Sequence, residues 1–428
     1  MIYWKKGSFN RNYFDNEFIS HQNESPYLTF TVKSKHILLV IIVSQFASTS
    51  LWFAGNTILP ELISEFGFDA NSLVSITSSV QAGFILGTLV FAIAAITDRF
   101  SPSKIFFSCS MLGAIFNASI YFLPKELVFV ITSRFLTGLM LAGIYPVGMK
   151  IAADWYRNDL GKAIGYLVGA LVLGTAFPSL IRYLGNDLDW FLILITVSIL
   201  ASIGGLLVLL FIADGPYRQP MVKFNRKAIT LLFKPGGFRS ASFGYFGHMW
   251  ELYSFWAFIP IILNTYNQIH GSTLDLYLWA FLIISIGALG CSFGGIMVKK
   301  FGSASIAFYN LTLSGLCILL FPLLIYSSLI IFLLYLLLWG WTVVGDSPQF
   351  SALAASKAPK DMIGSGLTIM NSIGFFLSII SIYALNSLVS ILDIRYAILI
   401  LLPGPIFGIY AIFPLRQKAL KNTNLKSY

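Results

Sequence analysis

The sequence has little charge. Only 11% of its 428 residues are Asp, Glu, Lys or Arg, whereas 57% are hydrophobic. A soluble domain usually carries about a quarter charged residues, so this chain lacks the polar residues that would cover a water-exposed surface. The shortage excludes an ordinary soluble protein and favours a lipid bilayer as the solvent.

Cysteines are few and catalytic motifs are missing. Cys109, Cys291 and Cys317 lie inside apolar runs without metal-ligand spacing, and we interpret them as packing residues. The sequence has no His-Glu-x-x-His, no Gly-x-Ser-x-Gly, no paired catalytic aspartates and no phosphate-binding Gly-rich loop with Lys and Ser or Thr. We therefore predict no enzyme, no metal site and no cofactor, and an ion gradient rather than ATP as the energy source.

Long apolar runs fill most of the chain. A membrane-spanning helix needs about 20 apolar residues, and twelve runs of roughly this length follow one another. They are too long and unbroken for the strands of a membrane barrel. The predicted spans are residues 36–58, 71–95, 104–123, 127–153, 160–182, 190–213, 241–264, 274–298, 304–327, 328–355, 362–388 and 394–414. The fold class is therefore an all-α polytopic membrane protein.

The net charge of +10 is distributed unevenly between alternate gaps. The gap between the sixth and seventh runs holds six basic residues: Arg218, Lys223, Arg226, Lys227, Lys234 and Arg239. The gaps on the other side of the membrane hold three basic residues among mainly acidic ones: Lys125, Arg182 and Arg395. The positive-inside rule then predicts that both termini are cytoplasmic in the cell membrane, and the distribution argues against a nucleic-acid partner.

The two halves of the sequence repeat each other. A shift of about 202 residues lays "GIYPVGMKIAADWYRNDLG" from residue 143 over "GDSPQFSALAASKAPKDMI" from residue 345, so that Pro146 meets Pro348. A shift of six helices makes parallel repeats, and transporters of that architecture bind substrate where the repeats meet. The predicted parts are a cytoplasmic tail 1–35, a six-helix bundle 36–213, a basic linker 214–240, a six-helix bundle 241–414 and a cytoplasmic tail 415–428.

This organisation resembles the major facilitator superfamily. "AAITDRFSPSK" from residue 94 is similar to that family's loop motif between helices 2 and 3, with Asp98 and Arg99 matching, while "RFLTGLMLAG" from Arg134 resembles its helix-4 motif. The antiporter Gly-Pro motif of helix 5 is not met. "GHMWELYSFW" and "WGWTVVGDSPQFSA" resemble bacterial and archaeal members often grouped with nitrate porters or sugar exporters. We expect a monomer among membrane lipids.

The resemblance implies that helices 1, 4, 7 and 10 line a central cavity between the two bundles. The candidate cavity residues are Gln45, Thr49, Trp52, Asn56, Arg134, Tyr145 and Trp339. The candidate proton-coupling residues are Glu251, His248 and Asp346, and the candidate gating residues are Asp98, Arg99, Pro146 and Pro348.

Glu251 is the acid for which depth argues most directly. It lies about 12 residues beyond Arg239, or about 18 Å along a helix, which places it near the middle of the bilayer. A charge there costs at least a few kcal/mol unless it is paired with an opposite charge or in contact with water. We expect the carboxyl group to face an aqueous path between the halves and, with His248, to exchange a proton. A fixed pairing, for example with Arg134, and direct substrate contact are the alternatives.

Three other features have two interpretations each. The guanidinium of Arg134 offers a fork of donors for an anion, or it has a structural or relay role. Asp346 precedes Ser347-Pro348, and proline kinks a helix, so the acid marks either a locally satisfied break or a gating hinge. Pairs of glycines four residues apart predict close helix packing that also lets the halves rock: Gly83 with Gly87, and Gly165 with Gly169.

The sequence thus predicts a secondary active transporter that moves a small solute by alternating access, coupled to protons, with a slight preference for a small anion. Drug or metabolite efflux by proton antiport is the first alternative, because several tryptophans would suit an amphipathic cavity. A non-transporting receptor or scaffold on the same fold is the alternative of another class, and it would keep Glu251 permanently paired.

Overall fold

The computed structural model describes residues 34–69, 71–156, 160–185, 189–218 and 224–424. Residues 1–33 of the predicted amino-terminal tail and the last four residues of the predicted carboxy-terminal tail lie outside the described residues, as does part of the linker. Every regular element in the described part is a helix.

We number the membrane-crossing helices α1 to α12. Those of the first half are α1 (Ser34–Thr49, Ala54–Thr57 and Leu59–Phe66), α2 (Ser72–Ile93), α3 (Pro102–Phe122), α4 (Leu127–Leu141 and Tyr145–Trp155), α5 (Leu160–Leu184) and α6 (Trp190–Phe211). Those of the second half are α7 (Gly237–His270), α8 (Leu276–Phe301), α9 (Ser303–Leu324), α10 (Leu329–Gly345 and Ser347–Lys357), α11 (Ile363–Val389) and α12 (Ile394–Ala397, continuing through Pro403–Asn424).

Ten of these helices are long and apolar enough to cross a membrane by themselves. The two helices of the described chain that fall short are α1 and α7, the first of each half. The first segment of α1 has only 16 residues before the helix breaks, and α7 carries polar and aromatic residues along its 34 residues. The first helix of each half is thus the one that falls short, α1 by the length of its first segment and α7 by its polar content.

The observed α7 is longer than the predicted span of 241–264. It begins after the Pro235-Gly236 pair and ends where Gly271 adopts a left-handed conformation with φ 62°. Glycine reaches that conformation without steric cost, which explains why the helix stops there and not at the end of the apolar run.

The predicted repeat is visible in the helix boundaries. The second segment of α4, Tyr145–Trp155, and the second segment of α10, Ser347–Lys357, each have 11 residues and begin with a residue followed by proline. Proline has no backbone N–H, and the first turn of a helix accommodates it best because the N–H groups there have no intrahelical acceptor. Pro146 and Pro348 thus sit at matching interruptions, as the sequence predicts.

Glycines allow the closest helix contacts. A Cβ added at Gly138 of α4 would lie 1.9 Å from the carbonyl oxygen of Val80 in α2, and one added at Gly340 of α10 would lie 1.9 Å from that of Ile283 in α8. The two halves therefore use the same close helix pair. Gly83 packs against the backbone of Phe135 in the same way.

The described helices form two pseudo-symmetric six-helix bundles, which meet along two helix pairs. Helix α2 packs against α11, and α5 packs against α8. Gly165 and Gly169 face the backbone of Cys291 and Ala288 in α8, so the glycine pair predicted on the fifth span lies at this boundary. Because twelve crossings return the chain to its starting side, Ser34 and Asn424 mark one face of the molecule, here called the chain-end side.

Candidate functional site

Arg134 lies inside the amino-terminal bundle and is fully buried. Its Nη1 donates to Oδ1 of Asn117 in α3 at 2.9 Å, and its Nη2 donates to the carbonyl oxygens of Leu51 and Trp52 at 2.8 and 2.5 Å. It forms no ion pair within the described residues. We call this arrangement the arginine network (Arg134, Asn117 and the Leu51–Trp52 backbone).

The break in α1 explains why backbone carbonyls are available to the arginine. Residues 50–53 lie between the first two helical segments, and within this break the carbonyls of Leu51 and Trp52 accept no N–H from the described backbone. The hydroxyls of Thr49 and Ser50 bond back to the carbonyls of Gln45 and Ala47 at 2.7 Å each, an interaction that competes with helix continuation. The fork of donors on Arg134 then satisfies the carbonyls that follow.

Glu251 lies inside the carboxy-terminal bundle and is 1% exposed. Its Oε2 accepts from the hydroxyl of Ser314 in α9 at 2.9 Å, and its Oε1 accepts from Nε1 of Trp339 in α10 at 2.7 Å. The Trp339 ring is itself stacked on Phe255, with centroids 4.2 Å apart. We call this arrangement the glutamate network (Glu251, Ser314 and Trp339).

The partners of Glu251 lie in its own bundle. Both donors to its carboxylate, Ser314 and Trp339, stand on α9 and α10. The alternative of a fixed pairing with Arg134 is wrong in this structure, because each group has partners inside its own bundle. Trp339, expected at the cavity, instead holds the carboxylate.

The arginine network and the glutamate network join corresponding helices of the two halves. Each joins the first, third and fourth helix of its half, so α1, α3 and α4 match α7, α9 and α10. The residue types differ, with a cation in one half and an acid in the other. The repeated fold thus holds a basic side chain in one half and an acidic side chain in the other, each bonded among the corresponding three helices.

His248 and Asp346 form a third polar group. Nδ1 of His248 lies 2.8 Å from Oδ1 of Asp346, and both side chains are buried. Asp346 occupies the interruption of α10, where its carbonyl accepts from the N–H groups of Gln349 and Phe350 as the second segment begins. The structure therefore brings together two of the three predicted proton-coupling residues, while Glu251 has separate partners.

Aromatic side chains from both bundles meet at the boundary. The Trp52 ring centroid lies 5.0 Å from that of Phe84, 5.8 Å from that of Tyr253 and 5.6 Å from that of Phe375. Trp256 contacts both Phe53 and Tyr253, at 6.3 and 5.5 Å. We call these six residues the boundary cluster: Trp52, Phe53, Phe84, Tyr253, Trp256 and Phe375.

Hydrogen bonds cross the boundary beside this cluster. Oε1 of Gln81 in α2 accepts from the hydroxyl of Ser378 in α11 at 3.2 Å, and the hydroxyls of Thr88 and Ser372 lie 3.5 Å apart. The sequence reasoning did not select Gln81, although a glutamine inside an apolar span is a signal of the same kind as Gln45.

The remaining predicted cavity residues are buried or partly buried on α1 and α4. Gln45 is fully buried, and both atoms of its side-chain amide lack a hydrogen-bond partner. Nδ2 of Asn56 donates to the hydroxyl of Thr77 at 2.7 Å. Tyr145 starts the second segment of α4, and Thr49 is the last residue of the first segment of α1.

The predicted gating residues of the 2–3 loop lie on the chain-end side. Nζ of Lys150 forms an ion pair with Oδ1 of Asp98 at 3.2 Å and lies 3.9 Å from Oδ1 of Asp154. These two carboxylates hold Lys150 at the chain-end side. Arg99 is exposed. Ala95, just before the matching motif residues, has a positive φ of 49°.

Polar contacts also join the bundles on the side opposite the chain ends. Nδ2 of Asn386 at the end of α11 donates to Oδ1 of Asn71 before α2 at 2.8 Å. At the other helix pair, Arg182 of α5 pairs with Glu61 and lies over the Tyr277 ring of α8, 5.6 Å from its centroid. These contacts close the boundary on that side.

Comparison with known proteins gives one family and several similar folds. Residues 41–382 match the model of the Major Facilitator Superfamily. An uncharacterized transporter of Buchnera aphidicola subsp. Schizaphis graminum (strain Sg) is 25% identical over 199 residues, which are 46% of this chain and 48% of that protein. The match thus spans about half the length of this curated relative.

Two solved structures share the fold over 89% of this chain. The human organic anion transporter MFSD10 (TETRAN) is 15% identical with a TM-score of 0.68, and all of that chain is covered. The proton:xylose symporter XylE is 14% identical with a TM-score of 0.69, and 95% of that chain is covered.

Proposed function

Because the chain belongs to the major facilitator superfamily, and is thus a membrane transporter, we propose that it moves a small anion by alternating access, coupled to protons. The bundles 36–213 and 241–414 are the moving parts, joined by the linker 214–240. The excess of basic residues on the chain-end side supports a cytoplasmic position for that side.

The observation that carries the proton coupling is the set of buried acids in the carboxy-terminal bundle. Glu251 and Asp346 form no ion pair with Lys or Arg within the described residues. A carboxylate at such depth is costly without a cation or water, and taking up a proton removes that charge. Glu251, Asp346 and His248 are thus the groups proposed to exchange the transported proton when the boundary opens to water.

The preference for an anion rests on Arg134. Its guanidinium donates to neutral acceptors only, so no described acid balances its charge. In a medium of low dielectric constant that charge acts over several ångströms. An anion in the space between the bundles therefore gains from Arg134 without direct contact, and a proton travelling with the anion cancels the charge moved.

The test replaces Glu251 with glutamine in purified protein reconstituted into liposomes that contain a pH-sensitive dye. A panel of carboxylates, nitrate, sugars and common drugs is imposed as gradients, and proton movement is recorded beside solute uptake. We expect Glu251→Gln to abolish proton-driven accumulation and to leave counterflow exchange largely intact, because the variant binds solute but carries no titrating group there.

The matched control is Glu126→Gln, which changes an exposed acid before α4 and should accumulate solute like the parent protein. Accumulation by Glu251→Gln against a gradient would show that this acid does not couple protons. If no solute of the panel moves in the parent protein, the proposed transport of a small anion is wrong.

A further inference from the structure

The two oxygens of the Glu251 carboxylate have partners of different kinds. Oε1 accepts from Nε1 of Trp339 at 2.7 Å, and Oε2 accepts from the hydroxyl of Ser314 at 2.9 Å. All three side chains are 0–1% exposed. An indole N–H is a donor only, whereas a hydroxyl both donates and accepts. The two oxygens are therefore not equivalent when a proton arrives.

A proton on Oε1 has no acceptor within the glutamate network, because Trp339 only donates. The indole ring is held in place by its neighbours: its centroid lies 4.2 Å from that of Phe255 on α7 and 6.1 Å from that of Phe321 on α9. The N–H therefore keeps its direction towards Oε1. A buried O–H without an acceptor is costly, so the network disfavours protonation of this oxygen.

A proton on Oε2 does have an acceptor. Oγ of Ser314 lies 3.3 Å from the carbonyl oxygen of Leu311 in its own helix, as well as 2.9 Å from Oε2. The hydrogen of a hydroxyl rotates to suit its partners, so Ser314 can donate to Leu311 and accept from a protonated Oε2. Every N–H and O–H of the network then keeps a partner.

The other titratable groups around Glu251 leave its charge unbalanced. Asp346 and Tyr335 of α10 and Cys317 of α9 are the described groups that interact with it electrostatically, and His248 pairs with Asp346. The hydroxyl of Tyr335 donates to the carbonyl oxygen of Cys317 at 2.7 Å. Since no Lys or Arg of the described residues pairs with the carboxylate, a proton is the cation that neutralises it.

We propose that Ser314 and Trp339 are positioning residues that direct the proton of Glu251 to Oε2. Trp339 donates to Oε1 in both protonation states. Ser314 reverses its hydrogen bond, since it donates to the ionised carboxylate and accepts from the protonated one. Because no buried donor loses its partner, Glu251 can carry a proton while the boundary is closed. This proposal rests on the proposed function and specifies the atom that holds the transported proton.

The first test locates the proton by infrared difference spectroscopy. Purified full-length protein in lipid is compared between acidic and alkaline buffer, and the protonated-carboxyl band that is lost in Glu251→Gln is assigned to Glu251. A hydrogen bond to a carbonyl oxygen weakens the C=O bond and lowers its stretching frequency. If Oε2 carries the proton, Oε1 is the carbonyl oxygen. Trp339→Phe should then move the band to higher wavenumber, and Ser314→Ala should move it less.

Two infrared results overturn the proposal. A shift in Ser314→Ala that equals or exceeds the shift in Trp339→Phe would show that Oε1 carries the proton or that the two oxygens share it. The absence of any band that depends on Glu251 would show that this carboxyl group takes up no proton.

Matched controls come from a tryptophan and a serine outside the network. Trp341→Phe changes the tryptophan two residues beyond Trp339, which contacts Phe293. Ser285→Ala removes a hydroxyl that donates to the carbonyl oxygen of Leu282 in its own helix. Both should leave the Glu251 band in place. Thermal unfolding of every variant checks that it is folded.

The second test asks whether transport needs the reversal at Ser314. Ser314→Ala leaves the protonated carboxyl group without an acceptor, so proton-driven accumulation of the panel of carboxylates, nitrate, sugars and drugs should fall by about tenfold. Counterflow exchange should change less. Ser314→Thr keeps a hydroxyl that bonds the same kind of helical carbonyl and should restore accumulation. Full accumulation by Ser314→Ala, or no rescue by Ser314→Thr, contradicts the role of Ser314.

The outcomes separate this proposal from the proposed function. If the Glu251 band shifts as described but Glu251→Gln still accumulates solute against a gradient, the coupling fails and the assignment of the proton to Oε2 stands. If Glu251→Gln abolishes proton-driven accumulation but Ser314→Ala shifts the band more than Trp339→Phe does, the coupling stands and the assignment is wrong.

Discussion

At the scale of single residues, the two buried ions show how a membrane protein accommodates charge. The Nη atoms of Arg134 donate to backbone carbonyls and an amide, and Glu251 accepts from a hydroxyl and an indole. Neither side chain forms an ion pair with Lys, Arg, Asp or Glu in the part of the chain that the structure describes. The planar fork of arginine reaches Asn117 and two carbonyls at once, which a single ammonium group does not reproduce.

Arg134→Lys should therefore destabilise the protein although the charge is kept. Lysine leaves either the α1 carbonyls or Asn117 without a donor, and an unsatisfied buried group costs about 1–3 kcal/mol. The measurement is thermal unfolding in detergent. Arg395→Lys is the control, because Arg395 forms a partly exposed pair with Asp393 and such pairs contribute at most about 1 kcal/mol. An equal shift in both variants would contradict the structural role of Arg134.

At the scale of helices, the interruptions and the glycines define the packing. The breaks in α4 and α10 fall at matching positions, and Gly138 and Gly340 make matching backbone contacts with α2 and α8. Small residues allow close approach in lipid, where no hydrophobic force holds helices together. The α2–α4 and α8–α10 pairs are therefore the corresponding closely packed pairs of the two bundles.

Gly138→Ala and Gly340→Ala should each lower the stability by about 1–3 kcal/mol, because the added methyl group overlaps backbone that must shift. Gly364→Ala is the matched control in α11, where an added Cβ meets no atom within 4 Å and alanine gains up to about 1 kcal/mol of helix propensity. The measurement is the midpoint of thermal unfolding of each of the three variants, compared with that of the parent protein. Equal midpoints for Gly138→Ala and Gly364→Ala would show that the contact is not needed.

At the scale of the whole molecule, the boundary is held by polar contacts on one side and by aromatic rings at its centre. Asn71 with Asn386, and Arg182 with Tyr277, join the bundles opposite the chain ends. Alternating access requires these contacts to separate in each cycle, since they lie on helices of different bundles.

Joining the first pair covalently should stop exchange. The double variant Asn71→Cys/Asn386→Cys, treated with a short bifunctional methanethiosulfonate, should lose counterflow activity and regain it after reduction. The three native cysteines are buried, and each single-cysteine variant serves as the control. Full exchange after quantitative cross-linking would show that this side does not open during transport.

The amino-acid sequence by itself determined the number of crossings, the fold class and the position of the repeat. Apolar length is a local property that follows from bilayer thickness, and the proline interruptions follow from a missing N–H. The family followed from these features together with short motifs, and the match over residues 41–382 confirms it.

Only the tertiary structure decided where the polar side chains point. Glu251 and His248 stand three residues apart on α7, yet one bonds α9 and α10 and the other meets Asp346. When protein covers most faces of a helix, the hydropathy pattern does not predict which face meets which neighbouring helix. The boundary cluster was hidden for the same reason: its rings come from four helices of two bundles, and their meeting depends on packing between residues far apart in the chain.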